Sequence, residues 1–176
     1  MSEWFEESWD DWLASLGDAD RERATALLTK FREAGCADPE AWVHSEITED
    51  IAQLARLLLL RALWKQVIQG WQEAPRFDAF PPALRLIEAG ADQEDVRLLC
   101  GSVALDALHT ALYQINFGED IDGDPLTEKD LPGWRLMERA AGSDHELTGR
   151  AVGFLHESLL SVDPTGTEGR EFWTTG

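Results

Sequence analysis

From Thr48 to Trp71 apolar residues recur so densely that the segment has almost no polar face: Ile51, Leu54, Leu58, Leu59, Ala62, Leu63, Val67, Ile68 and Trp71. A helix that apolar must be surrounded on most sides, so this one is expected at the centre of whatever the chain folds into. Thr48-Glu49-Asp50 supplies a cap and early negative charge for it. A second long periodic stretch runs from Asp92, a capping residue with Asp95 three positions on, to about Phe117. Val96, Leu99, Val103, Ala107, Leu108, Leu112 and Ile115 are expected on its buried face.

Shorter helices are expected around these two. Phe5, Trp9, Trp12 and Leu16 form one stripe of a first amphipathic helix ending at Gly17. Ala24, Leu27, Leu28 and Phe31 mark a second, and Pro39 opens a third that holds Trp42 and Val43. Ala83 to Glu88 gives a short one closed by Gly90. Trp134 to Glu138 reads as a strand or helical turn, with Leu147 to Arg150 pairing back as a small hairpin; Ala151 to Leu160 reads as helical. The expected fold class is therefore all-α: a single-domain bundle of about six helices over residues 1–176, with or without a small C-terminal β-hairpin. Residues 1–17 form its acidic, aromatic first helix, 118–133 an acidic loop and 162–176 an irregular tail, which Phe172 and Trp173 dock on the body.

Charge narrows the function. The chain carries 34 Asp and Glu against 15 Lys and Arg, a net of −19. Such a surface repels nucleic acid and anionic membranes and attracts basic partners. The excess is concentrated in two zones. Residues 1–20 hold Glu3, Glu6, Glu7, Asp10, Asp11, Asp18 and Asp20 without a cation, and Leu98 to Glu128 hold Asp106, Glu119, Asp120, Asp122, Asp124 and Glu128 without one.

The expected function is an acidic binding protein that neutralises a basic protein partner, as a bacterial immunity protein or antitoxin does a toxin. A toxin acting on nucleic acid needs cations to hold phosphates, and carboxylates would cover them. The candidate partner-binding residues are Glu119, Asp120, Asp122, Asp124, Glu6, Glu7, Asp10 and Asp11. No direct nucleic-acid contact, membrane contact or cofactor is expected. Two alternatives stand beside this one. A nucleic-acid mimic would block a DNA-binding protein with carboxylates spaced like phosphates. A helical, metal-assisted enzyme would use Asp106 and His109, three apart and on one face.

Motifs for other chemistry are incomplete. Asp120-Ile121-Asp122-Gly123-Asp124 opens like a calcium loop, but Pro125 stands where the turn glycine is required and Leu131 where the bidentate glutamate is required. There is no nucleophile-elbow or P-loop pattern. Arg135, Arg139 and Arg150 are a candidate anion site of no specific spacing. Cys36 and Cys100 are expected reduced and partly buried. The first residues, Met1-Ser2-Glu3-Trp4, lack a signal peptide's basic and apolar regions, and the apolar run Leu57–Leu60 is bounded by Arg56 and Arg61. A cytoplasmic location is expected.

Overall fold

The computed structural model describes residues 8–73, 77–117 and 133–172. They form α1 (Trp9–Ser15), α2 (Asp18–Glu33), α3 (Pro39–Glu49), α4 (Gln53–Leu63), α5 (Gln69–Glu73), α6 (Pro81–Glu88) and α7 (Gln93–Phe117), with β1 (Met137–Arg139) and β2 (Leu147–Ala151). A π-helical turn, Trp64–Ile68, joins α4 to α5 without a break, so the described residues hold six helical rods. The two strands pair antiparallel, Met137 with Ala151 and Arg139 with Leu147, with a bulge between. The all-α class with a small C-terminal hairpin is the architecture observed.

The chain divides into two compact units, Met1–Leu58 with Met137–Val152, and Leu59–Leu136 with Gly153–Gly176. In the first, Trp12, Ala24, Leu27, Leu28, Phe31 and Val43 are buried. Ser8 caps α1 through its hydroxyl, which accepts from the amide of Asp11. Asp38 caps α3 in the same way, ahead of Pro39. Arg21 closes the other end of α1, its guanidinium donating to the carbonyls of Leu13, Ala14 and Leu16. Gly17, expected to end α1, is instead the N-cap of α2.

The central helix begins later than its periodicity implies. Thr48-Glu49 is the end of α3, and Asp50 takes a left-handed conformation, φ 51°, as its C-cap. The Thr48 hydroxyl donates backwards, to the carbonyl of His44. α4 then starts at Gln53, and the amide of Leu54 donates to Oε2 of Glu46 on α3 at 2.9 Å. A side chain from the previous helix thus does the work expected of Thr48.

In the second unit, Leu60, Trp64, Ile68, Leu105, Leu112, Leu155 and Leu159 are nearly inaccessible. Phe77, Ala83 and Val96 make a further cluster with Trp71, Leu84, Ile87 and Cys100. Asp92 caps α7, its Oδ1 accepting from the amides of Glu94 and Asp95. Phe172 lies over Gly101, where an added Cβ would sit 2.1 Å from the ring. Phe172 is buried, and Trp173 lies outside the described residues. Cys36 and Cys100 are free and half-buried.

Two expectations fail here. Residues 151–160 are not a helix: Ala151 completes β2, Phe154 is left-handed at φ 55°, and a short 3-10 turn, Leu160–Val162, follows. The Phe154 amide donates to Oδ1 of Asn116, a bond that replaces a helical one. On α7, Leu99, Val103 and Ile115 are 58%, 60% and 40% exposed rather than buried. The buried residues of α7 are Val96, Gly101, Leu105 and Leu112. By length and composition alone, α7 also reaches what a membrane span requires, with mean hydropathy 1.2 over its most apolar window.

Candidate functional site

Of the candidate contact residues, Glu6, Glu7, Glu119, Asp120, Asp122 and Asp124 lie outside the described residues, as does the calcium-like loop. Asp10 and Asp11 stand in the first turn of α1, both exposed, where the helix dipole favours negative charge. Asp11 accepts from the Ser8 hydroxyl, and among the described residues no cation pairs with either acid. Asp106 and His109 are both exposed on α7. His109 meets the ring of His156 at 5.6 Å, edge to face, and among the described residues no three His, Cys, Asp or Glu side chains converge as a metal site would require. Arg139 and Arg150 do not form an anion site. Arg139 pairs with Asp144, and Arg150 is enclosed by Glu46 and Glu138.

The buried carboxylate of Glu46, 1% exposed, is the most enclosed charge described. Its Oε1 accepts from Arg150 at 2.8 Å and lies 3.8 Å from Arg23, while Oε2 takes the Leu54 amide. Burial pulls Arg150 down, but its bonds to Glu46 and Glu138 prevail and hold it above the usual arginine value. Every oxygen here is satisfied within the unit, so the cluster joins the hairpin to α3 and has no capacity left for a ligand.

A different set of acids remains open. In the second unit, the end of α5 and the start of α7 enclose a cleft of about 600 Å³ lined by Gln72, Glu73, Asp92, Gln93, Glu94 and Arg97. Its floor is fixed. Gln72 accepts from Trp64 Nε1 at 3.2 Å and donates to both Asp163 and Glu171. The cation of the cleft is already used. Arg97 donates to Glu94 through Nε at 2.8 Å and through Nη2, and its Nη1 donates to the Trp71 carbonyl at 2.7 Å. The bond with Glu94 holds Arg97 above its ordinary value and Glu94 below the usual carboxylate range.

The amides at the start of α7 are taken as well, since Asp92 accepts from two of them. The ready anion-binding capacity of a helix N-terminus is therefore consumed. What the cleft still presents is Glu73, which among the described residues is bonded to Gln69, and the outer oxygen of Asp92. This arrangement can receive an ammonium or guanidinium group and would reject a phosphate. Sequence reasoning missed it because Glu73 and Asp92 are separated by a proline-containing connection, and only folding places them together. Comparison with protein-family models, with curated proteins and with solved structures gave no match to the chain.

Proposed function

We propose that this chain is an acidic binding protein that engages and neutralises a basic protein partner, in the manner of an immunity protein or antitoxin acting on a toxin. The observation that carries this reading is the state of the cations. Among the described residues, Arg21, Arg23, Arg32, Arg97, Arg139, Arg150 and Arg170 are each paired with a carboxylate of the chain. Internal pairing thus takes up seven of the thirteen Lys and Arg side chains among the described residues, and a surplus of described acids is left facing outward. Asp10, Asp11, Glu73 and Asp92 belong to that surplus. A basic partner would be steered by it and then lose its own counterions to it.

The test is capture from the native host at low ionic strength on the immobilised full chain, followed by elution with sodium chloride. The expected result is one or a few basic proteins released by salt, and released at lower salt from the Glu73→Gln/Asp92→Asn variant. Asparagine is itself a good helix cap, so that variant keeps α7 intact. Capture that ignores ionic strength, or that yields no basic protein, would remove the proposal.

A further inference from the structure

The outer face of α7 carries large apolar side chains that no described residue covers. Leu99 and Val103 are 58% and 60% exposed, and Phe117 is 47% exposed. With Ala107 and Thr110, also exposed, they occur at spacings that return to one side of the helix at 3.6 residues per turn. Only 17% of the most apolar window of this helix is buried. Two large aliphatic side chains, more than half exposed on successive turns, mark a surface shaped for contact.

Charge decides what would cover it. Asp95 and Asp106 lie on the same side of α7 as Leu99 and Val103, and no Lys or Arg occurs from Leu98 to Phe117. A second copy of the chain would set these acids, and a net −19, against their own kind. A bilayer would force Asp106, in the middle of the stripe, towards hydrocarbon or against anionic headgroups. An amphipathic helix with an apolar face and flanking lysines or arginines meets neither objection. Its apolar side covers Leu99 and Val103, and its cations reach Asp95 and Asp106. We infer that the outer face of α7 is the docking surface for a basic amphipathic helix of a protein partner. This rests on the basic-partner reading above and gives it a location and a shape.

The experiment uses the full chain labelled with 15N and a synthetic peptide of roughly 18 residues, five helical turns, with leucines on one face and lysines beside them. A control peptide carries glutamates for the lysines. The lysine peptide is expected to move the amide resonances of Leu99, Val103, Ala107 and Thr110. Leu99→Gln with Val103→Gln should weaken it about tenfold or more, the loss of roughly one buried aliphatic side chain. Asp106→Asn should weaken it about threefold. The three sites are exposed, and Leu99→Met with Val103→Ile should retain binding, which separates lost docking from lost folding.

Unchanged affinity in the glutamine variant, with shifts centred on Gln72, Glu73 and Glu94, would overturn the docking surface and leave the basic-partner reading in place. Equal binding of both peptides would overturn the basic occupant, and with it the charge argument of both proposals. The inference also falls if neither peptide binds. It falls again if the glutamine variant abolishes binding to phosphatidylcholine vesicles, or disperses a dimer seen by sedimentation, since the occupant is then lipid or a second copy.

Discussion

Arg150 and Glu46, 104 positions apart in sequence, meet through a single 2.8 Å bond between Nη1 and Oε1. The same guanidinium holds Glu138 on the neighbouring strand, and the same carboxylate holds the first turn of α4. Two helices and a hairpin are therefore referred to one buried pair.

Removing both partners should cost less than the two single losses added together. Glu46→Gln takes the charged partner from Nη1 of Arg150, which keeps Glu138 through Nε and Nη2, and such a loss runs to about 1–3 kcal/mol. Glu46→Gln combined with Arg150→Met should be less destabilising than the sum of the single changes, because each alone already breaks the bond the two share. Urea unfolding of the three variants measures this directly, and strict additivity would contradict it.

Gly101→Ala should destabilise the second unit by about 1–3 kcal/mol, since the new methyl occupies the space of the Phe172 ring. Phe172→Leu in the same chain should recover part of the loss. The comparison is a pair of thermal denaturation curves, and an alanine variant as stable as the parent would show that the ring can move aside freely.

Asp163 gives a defined acid dependence. Burial pushes its carboxyl up, but bonds from the amides of Gly169 and Thr165 and from the hydroxyls of Thr165 and Thr167 outweigh that and hold it below 3.8. A carboxyl depressed in the folded state stabilises the fold above its unfolded pKa, and that contribution is lost as pH falls through the folded value. The parent should therefore lose stability from pH 4 downward more steeply than Asp163→Asn, which cannot titrate. Denaturant midpoints across this acid range test the sign, and parallel curves would refute it.

Salt should raise the thermal midpoint. At a net −19 the folded chain repels itself, and roughly 0.15 M sodium chloride shortens the reach of that repulsion to about 8 Å. The melting temperature is expected to be higher at that salt than at 0.01 M, with most of the gain reached before 0.3 M. A flat response would mean that the outward carboxylates are already locally compensated.

Periodicity was sufficient for the rods and insufficient for their ends and exposures. Trp12, Leu28, Phe31 and Val43 are buried as their spacing requires, and Asp92 caps α7 as its position requires. The break at Asp50 was hidden because Ile51 and Leu54 continue the apolar rhythm across it, and the cap of α4 comes from Glu46, eight residues back. Leu99 and Val103 carry the same chemistry as Leu105 and Leu112, so composition cannot tell which side of α7 is covered. The acidity was visible at once, but its geometry was not. Glu73 and Asp92 share a cleft only after α5 and α7 are in place. Asp10 and Asp11 alone among the proposed contact residues fall where the structure describes them.

The wide turn at Trp64–Ile68 sets the phase of everything after it on that rod. One surplus residue rotates the following segment by about 100° relative to an unbroken helix. That offset sets where Gln72 meets the indole N–H of Trp64 and where Glu73 joins Asp92 in lining the cleft. Shortening the chain there by a single position, at exposed Gln66, would swing the last turn about a third of the way round and empty the cleft of one carboxylate without altering any residue that lines it.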